Sequence, residues 1–254
     1  MLDEFGETYL ISRGIKPDFA REQGLEETPR NPDIIRDRLN FGYNAEAFSG
    51  VRSLLWFPVG HTNYVARING SYRDSAGEEV RFLFSKNGRR APWIPPPVSA
   101  VAKDPDKPLI FTESYFKALA LAHAGGSAIG LNGPWINEPT PPEDKDKPNN
   151  RVLVAELADF RWRTRKVYFA FDLDQATNGQ VRDAVIRAWT ILKVLGADVY
   201  QLQWDKQSKG IDDHLARTCG TDQENGAGAA ASQRETLCGY VRKGPWQGCA
   251  PSPG

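Results

Sequence analysis

The chain has 254 residues, with 32 lysines and arginines balanced by 32 aspartates and glutamates. That length can bury a real core in one or two domains, and the absent net charge means that any nucleic-acid surface must be a local patch. No apolar run approaches the ~20 residues of a membrane span, and the acidic start Met1-Leu2-Asp3-Glu4 is unlike a secretory signal, so a cytoplasmic protein without a membrane partner is expected. Cys219, Cys238 and Cys249 form no Cys-x-x-Cys pair and have no histidine cluster nearby. They read as free thiols in a reducing compartment, with a disulfide as the alternative.

In chain order, Tyr9–Arg13 and Pro17–Gln23 read as two short helices stopped by Gly14 and Gly24, since glycine commonly follows a helix end and proline suits a first turn. A polar stretch rich in Arg and Asp follows. Ser53–Pro58, Thr62–Ile68 and Glu79–Ser85, punctuated by Gly60, Gly70 and Gly77, then read as a small antiparallel sheet. Residues 91–107 carry Pro92, Pro95, Pro96, Pro97 and Pro105, a composition expected to form neither a regular helix nor a central strand, and so to link two units. The expected organisation is a small α+β subdomain over 1–107, a second domain over 108–219 and a disordered tail over 220–254.

From Pro108 the pattern is strand (108–112), helix (114–124), strand (127–131), loop, helix (151–161), strand (166–171), helix (180–195) and strand (197–203). Strands alternating with helices predict right-handed crossovers and an α/β fold with a mainly parallel sheet. In the helix over 180–195, Val181, Val185, Ala188, Leu192 and Leu195 recur at spacings of three and four before Gly196, which marks a core stripe. The intervening loop, Asn132 to Asn150, holds five prolines and a charged middle and reads as a surface excursion.

Acidic residues stand just past two of these strands: Glu113 after 108–112, and Asp172 and Asp174 after Val167–Phe171. In open α/β sheets ligands bind in the crevice beyond the carboxyl ends of the strands. Residues i and i+2 of extended chain point the same way, so Asp172 and Asp174 are expected to face one ion. Carboxylates, water and phosphate oxygens suit Mg²⁺, with Mn²⁺ as its substitute. The competing reading is helix capping, for which Asp174 or Asn178 stands in the right place before Gln180.

The order of these motifs resembles a TOPRIM domain, the metal-binding, Rossmann-like α/β unit shared by bacterial-type primases, topoisomerases and some nucleases. Thr112-Glu113-Ser114-Tyr115-Phe116-Lys117-Ala118-Leu119-Ala120-Leu121 resembles the primase glutamate motif, and Phe171-Asp172-Leu173-Asp174 the Phe-Asp-x-Asp motif. Tyr9-Leu10-Ile11-Ser12-Arg13-Gly14-Ile15 and Ser53-Leu54-Leu55-Trp56-Phe57-Pro58 resemble segments of the primase catalytic core, while Lys209-Gly210-Ile211-Asp212-Asp213-His214-Leu215 is similar to a motif in TOPRIM proteins of phages and mobile elements, often fused to helicases. The resemblance spans Tyr9 to Leu215. Ser114 stands where the glutamate motif usually has Gly, and Lys117 where many primases have Asp. No primase-type zinc module is read ahead of the core, which implies weak template selection or a partner that supplies it.

The resemblance implies metal-dependent nucleotidyl transfer from nucleoside triphosphates on single-stranded DNA, with Asp172 and Asp174 as principal metal ligands, Glu113 as a further ligand or acid/base, and a replicative helicase as partner. Two other readings stay open: a TOPRIM nuclease, and a non-catalytic DNA-binding accessory that recruits a helicase. Lys117 and Lys209 are candidates for phosphate contact, and Asp212 and Asp213 for metal support or, equally, for capping the following helix. Lys86, Arg89 and Arg90 beside Trp93 combine charge with a stacking ring, as single-strand binders do, against the alternative of a solvated hairpin tip. Arg67 is the basic residue found where the primase basic subdomain has its signature. His61, His123 and His214 are scattered, and none is placed like a general base.

Overall fold

A computed structural model describes residues 2–40, 42–59, 63–86, 91–133, 137–139, 151–172, 179–204 and 207–219. It divides into two compact units between Trp93 and Ile94.

In the first unit, α1 (Glu4–Ile11) opens with Asp3, whose carboxylate accepts from the backbone N–H groups of Phe5 and Gly6. The helix is followed by Gly14 at φ 69°, a left-handed position that glycine adopts at little cost. Next come α2 (Pro17–Glu22), with proline in its first turn, β1 (Glu26–Pro29), α3 (Pro32–Leu39), β2 (Val51–Val59), β3 (Asn63–Gly70) and β4 (Phe82–Phe84). The strands pair antiparallel in the order β1-β2-β3-β4, with Leu54 opposite Ile68 and Trp56 opposite Ala66. Ile35, Leu39, Phe48, Leu54, Trp56, Ala66, Ile68 and Leu83 form the core on this sheet.

The helical hairpin and the three expected strands are present. β1 and α3 were hidden in the polar stretch, for different reasons. Glu-Glu-Thr-Pro has little strand propensity of its own and becomes a strand by pairing with β2. The half-charged α3 buries only Ile35 and Leu39, but its boundaries are written in the sequence: Asn31 caps the N–H groups of Asp33 and Ile34, Pro32 follows, and Asn40 ends it at φ 51°.

The second unit begins with the proline-rich segment, which is part of its core. Pro96 opens α4 (Pro96–Ala100), and Val98 and Ala102 pack among the sheet residues. Arg165, wholly buried, donates to the carbonyls of Val101, Ala102, Lys107 and Arg161 and so binds this segment to the domain. The expectation that 91–107 holds no helix is thus corrected: proline is compatible with a first turn, and this helix has little more than one.

Then follow β5 (Leu109–Thr112), α5 (Tyr115–His123), β6 (Ala128–Gly130), β7 (Asn137–Pro139), β8 (Arg151–Leu153), α6 (Ala155–Ala158), β9 (Lys166–Phe169), α7 (Gly179–Val194), β10 (Asp198–Gln201) and α8 (Ile211–Cys219). The helix expected over 151–161 is instead a strand paired antiparallel with β7, followed by a single turn that buries Leu157. Val152 and Val154 favour extended chain, and a partner in the loop let the strand form. The tail beyond Cys219 lies outside the described residues.

The main sheet has the order β10-β9-β5-β6, all neighbours parallel. Every residue of β5 is buried, as expected for a central parallel strand covered on both faces. Phe111 lies at the centre, packed with Trp162 and Phe169. From β5 the chain moves to β6 on one side, and from β9 to β10 on the other. The winding direction therefore reverses between β5 and β9, and a crevice is expected past their carboxyl ends.

Candidate active site

Glu113 follows β5 and Asp172 follows β9, so both strands of the reversal deliver a carboxylate to the same end of the sheet. Parallel pairing continues past the assigned strands: Ala170 N–H donates to the Phe111 carbonyl at 2.8 Å, and Leu131 N–H to the Thr112 carbonyl at 2.8 Å. These bonds hold the two loops in register up to the acids. The Glu113 carbonyl accepts from Gly133 N–H at 3.0 Å, and the Thr112 hydroxyl lies 3.4 Å from Glu113 Oε2.

Between the acids stands Lys117. Its ammonium donates to Glu113 Oε1 and to Asp172 Oδ1, forming two ion pairs on one nitrogen. The three side chains are 9%, 11% and 17% exposed, for Lys117, Glu113 and Asp172 respectively, so solvent screens these charges far less than it would at the surface. Lys117 rises from a stretch, Tyr115 to Leu121, that is buried at every residue. A lysine in such a helix requires a partner, and it has two.

Burial pushes the Glu113 carboxyl above the usual carboxylate range, and the adjacent Lys117 charge draws it back only in part. For Lys117, burial alone would lower the pKa. The opposing charges of Glu113 and Asp172 outweigh it and hold the ammonium above its usual value, firmly protonated.

The third side of the site is Gly210, which precedes α8. A Cβ there would lie 3.1 Å from Lys117 Cε, 3.2 Å from Asp172 Oδ1 and 2.5 Å from Asp212 Oδ1, so only glycine lets this backbone approach the ion pairs without displacing them. Asp212 is buried at 1% exposure beside Gly210, which brings a third carboxylate to the neighbourhood. Asp213 has the other role considered for this pair: it is exposed, and its Oδ2 accepts from Gly210 N–H at 3.2 Å at the start of α8. Lys209 is exposed, and His214 is buried.

The donor set suits a hard divalent cation in kind, since two carboxylates already converge on one positive charge. Among the described residues no group of three or more Asp, Glu, His or Cys side chains is arranged to hold a metal ion. Asp174 lies outside the described residues. What sequence reasoning missed is the pairing of Lys117 with both acids. The Glu113–Lys117 spacing of four was a local signal, but the Asp172 contact is visible only once β5 and β9 are neighbours.

Of the residues expected to contact nucleic acid, the described ones are Arg67, Lys86 and Trp93, all in the first unit. Trp93 is 5% exposed and packs edge-on against Phe57 at 5.1 Å, so it is a core ring, correcting the expectation that it stacks a base. The Arg67 guanidinium lies over the rings of Phe5, Tyr9 and Phe82 and donates to the carbonyls of Ile68 and Arg81. Lys86 is exposed; Arg89 and Arg90 lie outside the described residues.

Residues 98–222 match a family described as "Domain of unknown function (DUF3854)". Over 117 residues the chain is 35% identical to an uncharacterized protein of Picosynechococcus sp. (strain ATCC 27264 / PCC 7002 / PR-6), an alignment covering 44% of this chain and 12% of that protein. Among solved structures it is similar to the zinc-binding and RNA polymerase domains of the Aquifex aeolicus primase, with a TM-score of 0.53 and 16% identity. That match covers 94% of this chain and 56% of the primase chain. At that identity the likeness is one of fold: a mixed α/β chain with a primase-like architecture. No helix among the described residues is long and apolar enough to cross a membrane.

Proposed function

We propose that the chain is a TOPRIM-type, Mg²⁺-dependent nucleotidyltransferase that makes short oligonucleotides on single-stranded DNA from nucleoside triphosphates, in the replication of a phage, plasmid or other mobile element. The observation that carries this reading is the convergence of Glu113 and Asp172 on one cation at the reversal point of a parallel sheet. The primase-like fold supports it.

Asp172, with Asp174 two residues on, would hold the divalent ion, which supplies charge neutralisation on the triphosphate and a lowered pKa for the attacking hydroxyl. Glu113 keeps the Lys117 ammonium beside Asp172, and that fixed positive charge is placed to balance a phosphate oxygen without reorganising. Gly210 leaves room beside the backbone for the Lys117 stem and the Asp172 carboxylate, which keeps both groups in place.

The test supplies single-stranded DNA, labelled nucleoside triphosphates and Mg²⁺ or Mn²⁺, and runs a cleavage assay on the same DNA. Short labelled products that vanish with Asp172→Asn are expected. Cleavage without incorporation would select the nuclease reading. Retained DNA binding with neither activity, even with a helicase present, would select the accessory role.

A further inference from the structure

We propose that Lys117 is a tethered cation that occupies the place of a divalent ion between Glu113 and Asp172, so that Lys117 and a metal exclude one another in that gap. The inference deepens the nucleotidyl-transfer reading above and rests on its assignment of Asp172 as a metal-facing residue.

Two independent observations carry it. The first is the sharing of the ammonium: the same nitrogen bonds Glu113 Oε1 and Asp172 Oδ1, the two oxygens that would otherwise face a bridging ion. An ammonium and a divalent ion cannot both sit on that pair of oxygens, because like charges at contact distance in a poorly screened site repel strongly. The second is the cradle around the lysine stem. Lys117 Cε lies where a side chain at position 210 would intrude, and Gly210 leaves that space to it. With Tyr115 to Leu121 buried throughout, the stem is housed along its length rather than resting on the site from solvent.

The consequence is a division of labour. Glu113 serves as the holder of Lys117, leaving Asp172 to face metal on its other side. One positive charge of the reaction centre is then covalently built in and insensitive to chelators. The site takes fewer metal ions than a purely carboxylate arrangement of the same geometry would.

The test is calorimetric titration with Mn²⁺ of the full chain, as wild type, Lys117→Met, Glu113→Gln and the double variant Lys117→Met with Glu113→Gln. Methionine keeps the stem and removes the charge. If the ammonium closes the gap in nine molecules of ten or more, its removal should tighten Mn²⁺ binding about tenfold or more, or add a bound ion. The double variant should lose that gain, because the newly exposed ligand is Glu113. Glu113→Gln alone should leave wild-type affinity within about twofold. Binding to Lys117→Met equal to or weaker than wild type would overturn the proposal, as would a clear loss of affinity in Glu113→Gln alone.

Lys117→Met is expected to melt at a lower temperature in chelator and to recover in Mn²⁺. A variant that does not fold even in millimolar Mn²⁺ would show that metal cannot take the lysine's place and would also refute the idea. None of these readouts uses nucleotide incorporation. Wild-type protein that makes no oligonucleotides while Lys117→Met gains Mn²⁺ would sink the nucleotidyl-transfer reading and leave the tethered cation standing; active wild type with no gain would do the reverse.

Discussion

Each unit buries a glutamate, and the two are stabilised in opposite ways. Glu27 in the first unit is 6% exposed and pairs with no cation among the described residues: its Oε2 accepts from the backbone N–H groups of Gly6 at 2.8 Å and Asp3 at 3.2 Å, and its Oε1 from the Ser53 hydroxyl. Burial first, and the neighbouring Asp3 second, push its carboxyl up to about 7, while the hydrogen bond from Glu27 holds Asp3 below its usual value. Glu113 in the second unit is instead paired with a protonated lysine. A buried carboxyl that retains a proton ties elements together. One that faces a buried cation is drawn part of the way back toward its charged form at the carboxyl end of the sheet.

The comparison is broken hardest by removing the cation. In chelator, Lys117→Met should cost the second unit about 3–5 kcal/mol, the usual penalty for leaving buried charges without their partner. Urea unfolding in EDTA measures it, and a loss below about 1 kcal/mol would show that the pair is far better solvated than its burial implies.

Next is a steric test of the sheet that positions the acids. A Cβ on Gly130 would stand 2.9 Å from the Tyr115 Cα and 3.1 Å from the Ala118 Cβ, so β6 and α5 would have to move apart. Gly130→Ala should cost about 1–3 kcal/mol, the usual range for overpacking a tight contact. An unchanged denaturation midpoint would mean that the contact is soft.

The proton on Glu27 sharpens the contrast by its pH dependence. Its folded value, about 7, lies above the ordinary 4.5, so between those values the folded state keeps a proton that the unfolded chain releases. Stability from this group is therefore fully present below about pH 4.5, falls as pH rises toward about 7, and is flat above. The loss should be on the order of 1–3 kcal/mol, since each pKa unit corresponds to about 1.4 kcal/mol. Glu27→Gln should flatten that part of the stability–pH curve, read from denaturant midpoints between pH 4.5 and 8. An unaltered slope would place the proton elsewhere.

The smallest effect belongs to the ion pairs of Arg21, one with Glu7 that links α1 to α2 and one with Asp18 inside α2. Arg21→Ala should change stability by less than about 1 kcal/mol, and less still in high salt. A larger loss in thermal melting would reveal packing by the arginine stem that the charges conceal.

By itself the sequence determined the elements whose signals are local. The hydrophobic run of β5, the buried Ala188 and Leu192 of the α7 stripe and the glycine stops after α1 and α2 each depend on neighbours a few residues away, whereas Leu195, expected in that stripe, lies past the helix end and is 41% exposed. The placing of Glu113 and Asp172 at strand ends was legible for the same reason. Tertiary structure decided what depends on partners distant in the chain. β1 and β8 are strands because β2 and β7 offer them hydrogen bonds, and Trp93 is core because Phe57 covers it. Lys117 lies 55 positions from Asp172 in the chain, and only the parallel pairing of β5 with β9 brings their charges together. Local propensity is set by a residue and its neighbours along the chain, whereas burial and electrostatic pairing are set by whatever the fold carries into contact.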